Sequence, residues 1–215
     1  MPSKGFIFDL DGVLVDTAHY HYEAWTTISS QLGFDFTPEH NERLKGVSRA
    51  RSLDILLEVG GVTASDTQKQ HWMEEKNTLY LQSIDQMTAD EILPNVRPVL
   101  EFLKQSGKKI ALGSASKNAP KILEQVGLTS FFDAIIDGNQ VQNAKPDPEV
   151  FLRAAKTISV EVTNCVVFED AVAGIEAARA AGMKTVGIGD ASVLHYADYV
   201  FTDFTQISTS FLTQL

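Results

Sequence analysis

Near its N-terminus the chain reads Phe6-Ile7-Phe8-Asp9-Leu10-Asp11-Gly12. An unbroken apolar and aromatic run stops at two carboxylates one residue apart, and a glycine follows. A run without polar alternation predicts a strand covered on both faces, as in a parallel sheet between helices. Open α/β sheets bind ligands at the C-terminal ends of their strands, where Asp9 and Asp11 would stand. Holding two anions this close in a partly dry cleft is costly unless a cation or a proton offsets them. An ordinary strand closing in an Asp-Gly turn is the bland alternative, but it has no need of the second acid.

After Thr17 the periodicity becomes helical. His21, Trp25, Ile28 and Leu32 recur three and four residues apart, predicting a helix over 18–31 with Gly33 as its stop. Thr37-Pro38 opens a short helix ending near residue 44. Lys45 to Arg49 reads as a loop, and helices are expected from 48 or 50 to 59 and over 65–83. No strand is expected between 17 and 88. From Pro94 onward short apolar strands (109–113, 134–136, 165–168, 185–188 and a weaker 199–201) alternate with helices over 96–105, 119–126, 148–157 and 173–181. This pattern predicts an α/β fold. A Rossmann-like parallel sheet formed by residues 1–16 and 89–215 is interrupted by an all-helical cap at 17–88. The two connections between cap and core are expected to act as hinges.

Composition narrows the function. Eighteen basic residues against 28 acidic ones leave a formal charge of −10, and no Lys/Arg-rich block overrides it. Neither a nucleic acid nor an anionic membrane is an expected partner. The single cysteine, Cys165, lies in an apolar run with no histidine near it. It reads as a buried strand residue rather than a catalytic thiol, and no internal disulfide is possible. No leader-like segment and no membrane-crossing run is evident. A cytoplasmic enzyme is expected; nothing signals an oligomer, so a monomer is assumed.

Three further clusters follow predicted strands. Ser114-Ala115-Ser116-Lys117-Asn118 makes an anion-binding corner at a helix start; the residues alone read equally as N-caps, with Ser116 or Asn118 as the cap. Lys145 precedes Pro146, which biases its backbone to extended geometry; taken singly it is an ordinary loop lysine. Glu169 and Asp170 add two acids of the hard-oxygen type that suits Mg2+.

In this order, Asp9-Leu10-Asp11-Gly12-Val13 with Asp16-Thr17, then Ser114, Lys145-Pro146 and Glu169-Asp170, resemble the signature of the haloacid dehalogenase-like phosphotransferases. The resemblance implies Asp9 as the nucleophile that takes the phosphoryl group and Asp11 as general acid/base. Ser114 would hold phosphoryl oxygens and Lys145 would offset their charge. Mg2+ would bind the carboxylates of Asp9 and Asp170 and the backbone carbonyl of Asp11, with Glu169 helping directly or through water. A dehalogenase is disfavoured because those members lack the second acid and the metal acids. A phosphonate hydrolase would need a Schiff-base lysine in the cap; the surroundings of Lys45 and Lys76 do not resemble that branch.

The cap is similar to that of the sugar-phosphate mutases within the family, through Thr17, His21, Trp25, Lys45-Gly46-Val47-Ser48-Arg49, Ser52, Lys76-Asn77 and the stretch from Ser114 through Ala115 to Asn118. This implies that Arg49, Ser116, Lys117 and Asn118 grip the phosphate that is not transferred. Gly46 to Ser48, Trp25, Ser52 and Lys76 would shape the sugar pocket, and His21 would couple closure to Asp11. Read one at a time, Trp25 and His21 are as well explained by helix packing, and Arg49 by a helix start. Ala171 departs from the mutases, which have serine there. The implied reaction interconverts β-D-glucose 1-phosphate and glucose 6-phosphate through an aspartyl phosphate and β-glucose 1,6-bisphosphate. A phosphatase for a sugar or small-metabolite phosphate is the alternative. A binding protein without catalysis would have to lack one of the acids, and all are present.

Overall fold

The computed structural model describes residues 4–215; residues 1–3 of the expected core segment lie outside the described residues. The opening strand β1 (Gly5–Phe8) is buried throughout. It sits in the middle of a six-stranded sheet of order β3-β2-β1-β4-β5-β6, with β2 Lys109–Gly113, β3 Ala134–Ile136, β4 Cys165–Glu169, β5 Lys184–Ile188 and β6 Tyr199–Phe201. Every neighbouring pair is parallel. The chain builds outward from β1 to β3, then returns to the other side of β1 for β4 to β6. The strand order therefore reverses between β1 and β4, where a crevice opens at the carboxyl ends.

Both faces of the sheet are covered, which explains the unbroken apolar run. Phe6 and Phe8 join one cluster with Leu112, Val166 and Phe168, under α5 (Val96–Gln105), α6 (Ala119–Gln125) and α9 (Thr209–Gln214). Ile7 points the other way with Ala111 and Val167, under α7 (Glu149–Thr157) and α8 (Val172–Ala180). The Phe8 and Phe168 rings stack at 4.7 Å between centroids, fixing β1 against β4.

Between β1 and α5 the chain forms α1 (Ala18–Gln31), α2 (Pro38–Glu42), α3 (Arg49–Gly60) and α4 (Asp66–Ile84). Local chemistry sets their ends. Thr37 and His40 cap α2 reciprocally, Ser65 and Gln68 do so for α4, and Ser48 accepts from the Arg51 amide at the start of α3. Trp25, Ile28, Phe36, Leu53 and Leu56 form a separate cluster inside this helical segment. The two strands of chain that join it to the sheet run side by side: Leu93 N–H donates to Leu14 O at 3.0 Å and Asp16 N–H to Glu91 O at 2.9 Å. The result is the expected parallel α/β core with an inserted helical cap. The short α9 and the isolated 3₁₀ turns carry too few residues for a readable period, and α2 ends at Glu42, two residues early.

Candidate active site

Asp9 follows β1 directly, and its amide donates to Phe168 O at 3.0 Å. Glu169 ends β4 and is wholly buried, and Asp170 is the next residue. Lys145 reaches between them from the loop before α7, donating to Asp9 Oδ1 at 2.5 Å and Glu169 Oε2 at 2.8 Å. Two glycines make room for the acids. A Cβ on Gly174 would stand 2.0 Å from the Glu169 carboxyl carbon, and one on Gly12, at φ +76°, 2.2 Å from Asp170 Oδ2.

One ammonium does not balance this cluster. Burial, then the charge of Glu169, pushes the Asp9 carboxyl up to about 8, against the pull of Lys145. Burial, Glu169 and Asp9 raise Asp170 well above the carboxylate range. Burial works against the charge on Lys145, but Asp9 and Glu169 prevail and hold it protonated. Asp9, Glu169 and Asp170 can bring one oxygen each within 4.8 Å of one another. Three hard oxygens in a dry pocket with surplus negative charge fit a divalent cation such as Mg2+.

Asp11 belongs to a different network. Thr17, fully buried, donates its hydroxyl to Asp11 Oδ1, and His21 Nε2 lies 3.7 Å from the same oxygen. Burial opposes the charge on Asp11, but the His21 and Thr17 bonds hold its carboxyl below the usual range. His21 Nδ1 is hydrogen-bonded to Lys76 Nζ at 2.8 Å. That amine sits 4.2 Å from the centroid of the Tyr80 ring and 5.3 Å from that of Trp25. Burial, and then the Arg49 charge, brings Lys76 down to about 7. The Tyr80 hydroxyl is buried and has no protein partner among the described residues. Arg49, half-buried at the start of α3, donates through Nη2 to Asn77 Oδ1 at 2.6 Å, and no carboxylate among the described residues pairs with it.

The expected anion corner follows β2. Ser114 Oγ accepts from the Ser116 amide at 3.0 Å, and Ser116 Oγ from the Asn118 amide at 3.3 Å. The loop after β3 braces it: Gly138 N–H donates to Ser116 O at 3.3 Å, Asn139 Nδ2 to Lys117 O at 3.0 Å, and a Cβ at Gly138 would come within 2.4 Å of Ala115 O. Sequence reasoning did not find this brace, because no motif singles out Asp137-Gly138-Asn139 and its contacts are made across distance. Nor did it select Tyr80, one turn past Lys76, and Asn77 entered only as part of the Lys76-Asn77 cap pattern, with no role attached.

The remaining expected residues fall in two groups. Trp25, Ser52 and Val47 belong to the interior of the helical segment or its edge. The loop from Lys45 to Ser48 approaches the acids: at Gly46, φ +71°, a Cβ would lie 2.6 Å from that of Ala171 and 3.8 Å from Glu169 Oε1. Lys45 pairs with Glu42 at 2.8 Å while its charge acts on Asp170. Lys117 is exposed.

The chain is similar along most of its length to known proteins. The chain is 41% identical over 211 residues to β-phosphoglucomutase of Bacillus subtilis, covering 97% of this chain and 93% of that one. It is 34% identical to a phosphorylated carbohydrates phosphatase of Thermotoga maritima, over 85% of this chain and 83% of that one. The crystal structure of β-phosphoglucomutase from Clostridium difficile superposes with a TM-score of 0.94 at 42% identity, covering 99% of this chain and 96% of that one. A family model for haloacid dehalogenase-like hydrolases matches residues 3–182, and the chain, with its acids gathered at the reversal of strand order, belongs to that family.

Proposed function

We propose that the protein is a phosphotransferase that interconverts β-D-glucose 1-phosphate and glucose 6-phosphate through an aspartyl-phosphate enzyme and β-glucose 1,6-bisphosphate. The observation that carries this reading is a match spanning helical cap and sheet alike, at 41% identity over 97% of the chain, to a β-phosphoglucomutase. Asp9 attacks phosphorus in line and becomes the aspartyl phosphate. Lys145, already hydrogen-bonded to Asp9, offsets charge on the transferring oxygens. Asp11 protonates the leaving oxygen and deprotonates the incoming hydroxyl, an effect worth roughly 10²–10⁴-fold.

Asp9 and Asp170, with the backbone carbonyl of Asp11 and with Glu169 directly or through water, would hold Mg2+, which would supply positive charge at the phosphoryl oxygens and favour the ionised form of Asp9. Arg49, Ser116, Lys117 and Asn118 hold the second phosphate. A planar guanidinium suits that task through its fork of donors. His21 and Lys76 link the cap to Asp11, so the acid is set when the cap meets the sugar, and closure excludes water.

A coupled assay for glucose 6-phosphate, started from the β-anomer with catalytic bisphosphate and Mg2+, tests the reading. Rapid phosphate release from other sugar phosphates without β-anomer turnover would overturn it. That outcome is the second reading, a sugar-phosphate phosphatase, which the 34% match to a carbohydrate phosphatase favours.

A further inference from the structure

Asn77 lies in α4, one residue past Lys76. Its side-chain oxygen accepts two hydrogen bonds from two other elements, Arg49 Nη2 at 2.6 Å and Asn118 Nδ2 at 3.0 Å. Arg49 opens α3 in the helical segment, and Asn118 stands at the N-cap of α6 against the sheet. Neither donor does what its position ordinarily implies. An N-cap asparagine normally accepts from its own helix, yet Asn118 makes no side-chain cap bond. An arginine drawn out of water normally meets a carboxylate, yet Arg49 meets an amide. Both are diverted to one neutral oxygen at the boundary between cap and core.

The neutrality of that oxygen decides what it can do. An amide carbonyl orients two donors but holds them with ordinary hydrogen bonds. Phosphate oxygens form charge-assisted bonds to the same donors, about twice as strong. The phosphate can therefore take the donors over from the amide. A carboxylate in that position would keep the guanidinium as an ion pair and repel the phosphate.

We infer that Asn77 is a positioning residue for the second phosphate of the sugar. It holds Arg49 and Asn118 together across the cap boundary and releases them to the incoming anion. This rests on the reading of Arg49 and Asn118 as phosphate donors. Asn77 acts through them and touches no reacting atom.

Calorimetric titration with glucose 6-phosphate tests it. Asn77→Asp should weaken binding by about tenfold or more, because the new carboxylate claims Arg49. Asn77→Leu keeps the side chain's shape without an acceptor, and should weaken binding by roughly threefold to tenfold. Asn77→Ser, which restores a neutral acceptor, should recover part of that loss. In turnover the Leu variant should raise KM and leave kcat within about twofold, the pattern of lost binding rather than lost chemistry. In an Arg49→Ala background most of the Leu effect should disappear, since the two residues act as a unit. A Leu loss that persists in full without Arg49, or an Asp variant that binds like the wild type, would overturn the assignment. If isomerisation fails while this binding pattern holds, the mutase reading falls and the role of Asn77 stands. If isomerisation succeeds and Asn77→Asp binds normally, the reverse follows.

Discussion

The end of the sheet and the floor of the helical cap gather charge of opposite sign and treat it differently. At the sheet, Asp9, Glu169 and Asp170 crowd around one lysine, and burial with mutual repulsion raises two of their carboxyls. In the cap, Arg49 and Lys76 are held by neutral groups: an amide oxygen, an imidazole and aromatic faces. With all its acids ionised the first cluster would carry surplus negative charge, while in the second the Arg49 guanidinium meets no carboxylate among the described residues. Under the proposed function, a phosphate ester with a divalent ion would satisfy both at once, with the ion at the acids and the second phosphate at the cap. Asp11 stands between the clusters, close in sequence to the first and 3.7 Å from His21, which bonds to Lys76 of the second. The comparison teaches that a net charge of −10 says little about a local site.

The sharpest way to break this contrast is at Asp9. Asp9→Ala should cut phosphoryl transfer on the order of 10³-fold or more, and mass spectrometry should find no phosphorylated enzyme. Transfer that survives would remove the covalent step. Lys145→Ala tests whether the acid cluster is held by its one cation. The variant should lose roughly 3 kcal/mol in urea unfolding, because buried carboxylates are left without their partner. Added Mg2+ should recover part of the loss by binding the folded state; no recovery would mean that the acids share no ion.

Gly46→Ala probes the place where cap loop and acids meet. Its Cβ would press on Ala171 at a positive φ, so about 1 kcal/mol of stability should go. KM should rise as the loop is pushed off the sheet. A kinetically silent variant would separate the loop from the site.

The smallest effect concerns pH and the cap. Lys76 faces His21 on α1, Tyr80 on its own helix, Arg49 on α3 and Asp11 beyond β1. Burial lowers its amine to about 7 from the ordinary 10.5. Between these values the unfolded chain carries the proton and the folded chain does not, so this group adds stability as pH rises. Below pH 7 both states are charged and the full burial penalty applies. Lys76→Met should therefore gain more stability over the wild type at pH 6.5 than at pH 9.5. An equal gain at both would place the amine in its charged form throughout.

Much of this was legible in the chain. Phe6 to Phe8 announced a doubly buried strand because both side-chain directions are apolar, and the caps Thr37, Ser48 and Ser65 announce helix starts because their hydroxyls satisfy amides nearby in sequence. The acids were readable because they cluster at or just past the ends of two strands, β1 and β4. What could not be read was which side chains meet across distance. Asn118, readable as a helix cap or as a phosphate donor, makes no cap bond and turns to Asn77, and Thr17, part of the cap pattern, donates to Asp11. Asp137 to Asn139, which no motif singled out, brace the anion corner.

Local pattern alone determined the elements, their order and the acids that end them, since burial periodicity and capping act over a few residues. The pairing of Lys145 with Asp9 and Glu169, the descent of Lys76 toward neutrality and the diversion of Arg49 to an amide were decided only by tertiary structure. Those outcomes depend on desolvation and on distances of a few ångströms between residues far apart in the chain, and no neighbouring residue encodes either quantity.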